Sequence, residues 1–217
     1  NDVILKAKQA NDYFLLIGPP GTGKTSYALV AMVKEALFES SSILLSAYTN
    51  RAVDEICDKM DKHKIQYIRI GSELSCDERF RKNLLDEKIR LNPNADIVRK
   101  VIQETRVFVG TITSISGKLN LFGIKHFDLA IIDEASQILE PNLLGILCAR
   151  HKNQIAIDKF IFIGDHKQLP AVVQQSERES IVSEPELIKI GMSDCRNSLF
   201  ERLINIQKKN GSEDFIH

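Results

Sequence analysis

The 217-residue sequence has no apolar run long enough to span a bilayer, and no basic start followed by an apolar stretch. These absences argue against a membrane protein and against a secreted one, so we expect a cytoplasmic protein, or a nuclear one in a eukaryote. The N-terminus, Asn1-Asp-Val-Ile-Leu-Lys, also lacks an initiator methionine. We therefore expect this chain to be an excised fragment.

Cysteine is scarce, and its four copies lie far apart: Cys57, Cys76, Cys148 and Cys195. No two of them have the close spacing of a zinc site or a redox motif. We expect reduced thiols, as in cytosolic proteins.

The sequence has no excess of either charge, because 29 Lys and Arg balance 29 Asp and Glu. Proteins that coat nucleic acid by bulk electrostatics tend to be basic, so the balance argues mildly against that class. It leaves open a narrow groove that holds a single strand with hydroxyls, backbone amides and a few cations.

Short apolar segments alternate with amphipathic helical segments along the chain. Strands are predicted at residues 13–17, 43–47, 67–70, 107–109, 128–132 and 160–163, and helices at 25–39 and 50–62. This alternation predicts an α/β fold, a parallel sheet with helices on both faces. Ligands of such sheets bind at the carboxyl ends of the strands.

Residues 72–106 are charged and rich in helix formers, with a break at Asn92-Pro-Asn94. We interpret this segment as a small helical insertion between two strands. An ordinary pair of connecting helices fits the same pattern.

The most informative segment is GPPGTGKT, residues 18–25, which has the form G-x-x-x-x-G-K-[ST] of a phosphate-binding loop. In such a loop, backbone N–H groups close around the phosphates, the lysine (Lys24) reaches the β and γ phosphates, and the Thr25 hydroxyl ligates Mg²⁺. A predicted strand precedes it and a predicted helix follows it, as the motif requires. The nucleotide-binding residues predicted here are Gly18, Pro20, Gly21, Thr22, Gly23, Lys24, Thr25 and Ser26.

A second constellation is the acidic pair at the end of an apolar strand, in Ala130-Ile-Ile-Asp-Glu-Ala-Ser136. We predict that Asp133 holds Mg²⁺ and that Glu134 orients and deprotonates an attacking water. In isolation this pair would fit a solvated helix start equally well. The upstream phosphate loop makes the catalytic interpretation the better one.

A third apolar strand ends in Gly164-Asp165, with Gln168 and Pro170 following. A neutral amide near the γ phosphate can sense that phosphate without adding a net charge. We therefore group Gln168 with the catalytic residues Lys24 and Glu134.

Together these motifs resemble those of superfamily 1 helicases of the 5′-to-3′ branch, which contains the nonsense-decay RNA helicases and the replication ATP-dependent helicase/nucleases. The matching runs, in the family's order, are GPPGTGKT (18–25), LLSAYTNRAVDEI (44–56), VGTITSI (109–115), IIDEASQ (131–137), FIGDHKQLP (162–170) and SLFERL (198–203). They cover almost the whole chain. The helicase/nuclease group looks closest.

The resemblance implies a RecA-like P-loop domain that uses ATP and Mg²⁺ and translocates on single-stranded nucleic acid, with DNA favoured over RNA. It implies backbone contacts from Thr49, Asn50, Thr111 and Thr113, although each threonine also fits a helix N-cap. Gln168 matches the residue that couples γ-phosphate state to strand contacts, and Asp165 the nucleotide-site residue that supports it.

The family's motor has two RecA-like domains, and the second supplies arginines to the transition state. We interpret residues 1–217 as the first domain only, monomeric, with its partner domain absent from this chain. Arginine fingers contribute about 10³ to 10⁵ in rate, so we expect the isolated fragment to bind ATP weakly and hydrolyse it poorly.

Two alternatives remain open from the residues alone. One is a P-loop ATPase of a protein-remodelling type, which would not explain the run around Thr49. The other is an ATP-dependent nucleic-acid-binding module without motor activity.

Overall fold

Six apolar segments form one parallel sheet, and their apolar character suits strands that are covered on both faces. In two of them, Ile43–Ala47 and Val107–Thr111, every residue is buried. The computed structural model describes residues 2–18, 24–91, 94–165 and 173–211. The sheet strands are β1 (Tyr13–Ile17), β2 (Ile43–Ala47), β3 (Ile68–Ile70), β4 (Val107–Thr111), β5 (Phe127–Ile132) and β8 (Ile157–Gly164). A small antiparallel hairpin pairs β6 (Arg150–His151) with β7 (Gln154–Ile155).

The strand order is β1-β8-β5-β2-β4-β3, and every neighbouring pair is parallel. All six predicted strands are therefore confirmed, with ends that differ by a few residues. The helices are α1 (Asp2–Gln9), α2 (Val30–Phe38), α3 (Asn50–Lys62), α4 (Leu85–Leu91), α5 (Ala95–Glu104), α6 (Ile112–Ser116), α7 (Asn120–Ile124), α8 (Glu140–Leu147), α9 (Glu177–Ser180), α10 (Pro185–Lys189) and α11 (Leu199–Asn210).

The sheet separates two hydrophobic cores, because successive strand residues point to opposite faces. Leu15 lies in one core, whereas Phe14 and Leu16 lie in the other. Helices α1, α2 and α3 cover one face, and α5 to α8 together with α11 cover the other. The predicted α/β fold with helices on both faces is confirmed.

The segment 72–106 connects β3 to β4, which are neighbours in the sheet. Its described residues form 3₁₀ turns at Glu73–Ser75 and Glu78–Asn83, then α4 and α5. Its helical character is confirmed, and its status as an inserted unit stays a prediction. Of the helices in the described ranges, none has the length and apolar character that crossing a bilayer requires.

Candidate functional site

The carboxyl ends of the six parallel strands lie along one edge of the sheet, and the predicted site residues follow these ends. Gly18, after β1, donates its amide hydrogen to the carbonyl oxygen of Gly164 at the end of β8 (3.2 Å). Asp133, after β5, donates its amide hydrogen to the carbonyl oxygen of Ser46 in β2 (2.8 Å). Since β8 lies between β1 and β5, the start of the phosphate loop and the acidic pair share this edge.

The helix predicted after the phosphate loop begins at Lys24. A turn of π-helix, Lys24–Leu29, leads directly into α2. Strand and helix therefore flank the loop in the order that phosphate-binding loops require. Pro20, Gly21, Thr22, Gly23 and Gln168 lie outside the described residues, as do the side chains of Lys24, Thr25 and Ser26.

Glu134 adopts the left-handed backbone conformation, with φ 54° and ψ 33°. Its amide hydrogen is donated to Oδ1 of Asp133 (3.0 Å). Adjacent residues of a continuing strand would point to opposite faces. The sharp turn at the end of β5 instead leaves the negative charge of Asp133 close enough to raise the pKa of Glu134.

The surroundings of the Glu134 carboxyl group favour its protonated form. Its pKa is raised above the ordinary value by burial first, and then by the negative charges of Asp133 and Glu55. Its Oε2 atom is buried and has no hydrogen-bond partner among the described residues. A buried acceptor left without a protein donor fits a carboxylate that accepts from a water or another bound ligand.

Two further carboxylates stand at the same edge, and both are largely buried. Asp133 is 5% exposed and Asp165 is 6% exposed. The amide hydrogen of Asp165 points to Oγ of Ser136 (3.4 Å), which ties the end of β8 to the turn after Glu134. Carboxylate oxygens are the ligands that Mg²⁺ prefers, so the position of Asp133 fits a metal ion held together with a nucleotide.

The predicted nucleic-acid contacts follow the ends of β2 and β4. Thr49 caps α3 by accepting the amide hydrogen of Ala52 (3.1 Å), and it remains exposed. Thr111 caps α6 by accepting from the amide of Ser114 (3.1 Å), and it is buried. The N-cap interpretation is confirmed for both, and it is wrong for Thr113, which lies inside α6. Exposed along with Thr49 are Asn50 and Thr113; contact of any of the four with nucleic acid stays a prediction.

Three contributors to the site were missed by sequence reasoning. Ser136 stands inside the quoted run IIDEASQ, and its hydroxyl was the available signal. Glu55 stands inside the run around Thr49, and only the folded structure shows that its negative charge raises the pKa of Glu134. The ion pair between Glu140 and Arg202 joins residues far apart in sequence, and only the arginine lay in a recognised motif.

Comparison with known proteins identifies the class. Residues 1–96 and 86–176 match the profile of a family described as AAA domain. The fold is similar to the crystal structure of the UvsW helicase from bacteriophage T4, with a TM-score of 0.52 and 16% identity over 75% of this chain and 50% of that one. The chain thus has a RecA-like α/β fold.

Curated relatives sharpen this assignment. DNA replication ATP-dependent helicase/nuclease JHS1 of Arabidopsis thaliana is 37% identical over 174 residues, 80% of this chain and 12% of the relative. The helicase/nuclease DNA2 of Gallus gallus is 33% identical over 197 residues, 89% of this chain and 18% of the relative. The chain belongs to the AAA-domain family, and the resemblance to superfamily 1 helicases is confirmed. The chain spans less than a fifth of the length of these two relatives.

Proposed function

We propose that this chain is the ATP-binding half of a nucleic-acid-dependent ATPase that couples ATP hydrolysis to translocation on a single strand. One observation carries the proposal. The ends of β1, β5 and β8 meet at one edge of the sheet, and the buried Oε2 of Glu134 stands there without a described partner.

In this proposal the phosphate loop wraps the triphosphate, with Lys24 at its β and γ phosphates. Thr25 and Asp133 would hold Mg²⁺, which supplies charge neutralisation for the phosphates when bound. Glu134 orients a water and accepts its proton, since its raised pKa matches a base that must gain a proton during the reaction. Gln168 and Asp165 report the presence of the γ phosphate.

The proposed contacts to the nucleic-acid backbone are the exposed Thr49, Asn50 and Thr113, which follow the ends of β2 and β4. Thr111, the fourth proposed contact, is buried. We favour DNA over RNA because the relatives are named for DNA replication. Residues 1–217 would be the first motor domain, with 72–106 as its insertion, and a second RecA-like domain would contribute arginines to the closed cleft.

The test is an ATPase assay of the full-length protein with and without single-stranded DNA or RNA. We expect stimulation by the single strand, DNA exceeding RNA. Glu134→Gln should lower kcat by about 10²- to 10⁴-fold and leave nucleotide affinity intact. Glu104→Gln, at an exposed glutamate of α5, is the matched control and should behave as wild type.

The alternatives predict different outcomes in the same assay. Hydrolysis that is indifferent to nucleic acid would favour a protein-remodelling ATPase. Strand binding that requires ATP but proceeds without hydrolysis would favour a binding module.

A further inference from the structure

The run SLFERL, residues 198–203, has no role in the proposed function, yet it lies against the site. It begins α11, which crosses one face of the sheet. Near its start, Phe200 contacts Gly164 at the carboxyl end of β8. Near its end, the side-chain amide of Gln207 donates to the hydroxyl of Tyr13 at the start of β1 (2.8 Å). Helix α11 therefore joins the nucleotide edge of the sheet to the opposite edge.

Phe200 is fully buried where β8 ends. A Cβ atom on Gly164 would lie 2.9 Å from Cε1 of Phe200 and 3.1 Å from the backbone nitrogen of Ser136. Such distances are below ordinary van der Waals contact, so the ring of Phe200 and the turn after Glu134 together occupy the space beside Gly164. The positions of these three backbone segments are thereby interdependent.

Arg202 makes the second contact, an ion pair with Glu140 at the start of α8. Its Nε donates to Oε2 (2.7 Å) and its Nη2 to Oε1 (2.5 Å), a bidentate geometry, and its Nη1 donates to the carbonyl oxygen of Ile190 (2.6 Å). Both side chains are largely buried, at 13% and 9% exposure. Arg202 thus satisfies a buried carboxylate with two charge-assisted hydrogen bonds.

Backbone contacts strengthen the same junction. Leu139 forms an antiparallel bridge with Ser198, and the amide hydrogen of Glu140 points to the carbonyl oxygen of Asn197 (3.4 Å). Residues 134–140 are consequently fixed at one end by β5 and at the other by the start of α11.

We propose that Phe200 and Arg202 are positioning residues for Glu134. By fixing residues 135–140 and the end of β8, they hold Glu134 in the left-handed conformation that brings its carboxyl group into the site. That conformation is disfavoured for a residue with a side chain and persists only where the surroundings impose it. The inference rests on the proposed function, since it concerns the same carboxylate.

The decisive variant is Arg202→Met in the full-length protein. We expect kcat to fall about ten- to a hundredfold, the size of effect that a small misplacement of a reacting group produces. The affinity for ATP should stay within about twofold of wild type, because the phosphate loop follows β1 and does not belong to the segment that Arg202 fixes. Arg202→Lys keeps the charge but loses the bidentate fork, so it should give an intermediate kcat.

Arg196→Met provides the matched control. Arg196 forms a comparable bidentate ion pair with Asp194 (Nε–Oδ1 3.1 Å, Nη2–Oδ2 2.6 Å). No described side-chain contact joins this pair to residues 134–140. The backbone of Asp194 is joined to Glu140 through Asn197, by two amide hydrogen bonds that the substitution leaves in place. Its loss should leave kcat at the wild-type value, and melting curves of both variants should show that each is folded.

A second measurement is independent of activity. Amide hydrogen exchange of residues 135–139 should accelerate in Arg202→Met and remain unchanged in Arg196→Met.

The outcomes separate the two proposals. If wild type shows no hydrolysis, or Glu134→Gln retains it, the proposed function fails, and the exchange measurement then decides whether Arg202 fixes this segment. If both behave as expected and Arg202→Met matches Arg196→Met in kcat, the positioning role is overturned. If Arg202→Met does not fold, Arg202→Lys decides, and a wild-type kcat for that variant overturns the proposal.

Discussion

Among single residues, Glu134 combines a strained backbone with a destabilised charge. Burial and two neighbouring carboxylates raise its pKa, so its ionised form costs stability above the pKa that it has in the unfolded chain. That cost is absent at low pH, where the group is protonated in both states. If Glu134 is the proton acceptor that we propose, its position in this environment trades stability for chemistry.

Glu55 gives a way to test that environment. It lies on α3 beside Arg51, at 3.4 Å from Oε1 of Glu55 to Nε of Arg51, and its charge contributes to the raised pKa of Glu134. We predict that Glu55→Gln lowers the pKa of Glu134, because one like charge is removed. The acid limb of the pH profile of kcat should move to lower pH. An acid limb that stays in place would contradict the assignment of Glu134 as the base, and Glu104→Gln should cause no displacement.

Gly110, in the run VGTITSI, is required to be glycine for a steric reason. A Cβ at this position would lie 2.9 Å from the carbonyl oxygen and 3.0 Å from the Cβ of Ile70 in the neighbouring strand β3. We predict that Gly110→Ala destabilises the protein by about 1–3 kcal/mol, the usual cost of overpacking, measured by denaturant unfolding. Gly123→Ala is the control, since nothing lies within 4 Å of its Cβ. Equal stabilities of the two variants would refute the steric argument.

At the scale of elements, a buried arginine fastens helix α3 to strand β3. Arg69 is 1% exposed; its Nη1 atom bonds to Oδ1 of Asp54 and lies 3.6 Å from Sγ of Cys57, and Nη2 donates to the carbonyl oxygen of Ser75 (3.3 Å). Burial raises the pKa of the Cys57 thiol to about 11, so that thiol stays protonated. Arg69 is therefore paired with the carboxylate rather than with a thiolate.

We predict that Arg69→Met costs roughly 3–5 kcal/mol of stability, because Asp54 loses its buried partner. Combining Arg69→Met with Asp54→Leu should cost less than the sum of the two single changes, since no charge is then left unpaired. Urea unfolding of the two single variants and the double variant measures the coupling. Strict additivity would show that the ion pair contributes nothing specific.

Elements were easier to predict than their arrangement. Each sheet strand is a short apolar run bounded by polar residues, and α3 has hydrophobic residues at helical spacing, so local pattern was sufficient for both. The sheet order, with β8 between β1 and β5, depends on long-range pairing that no local pattern encodes. The left-handed turn at Glu134 and the bidentate pair of Arg202 with Glu140 depend on tertiary contacts, and the sequence carried only their residue types.

For the whole molecule, the balance of charge and the position of the site have to be considered together. Equal numbers of acidic and basic residues provide no general attraction for polyanions. The proposed strand-contacting residues, the exposed Thr49, Asn50 and Thr113, are neutral hydrogen-bonding groups. Binding through such groups depends less on counterion release than binding through lysine and arginine does.

We therefore predict a shallow salt dependence for single-stranded DNA binding by the full-length protein. If about three phosphates are neutralised, the slope of log K against log salt concentration is about −2. Arg51, exposed next to Asn50, is the described cation nearest in sequence to these contacts, so Arg51→Gln should make the slope less steep by about 0.7. Arg99→Gln, on the exposed side of α5, should leave it unchanged. A slope steeper than about −5 would mean that bulk electrostatics dominates, and the proposed grip through hydroxyl and amide groups would then be wrong.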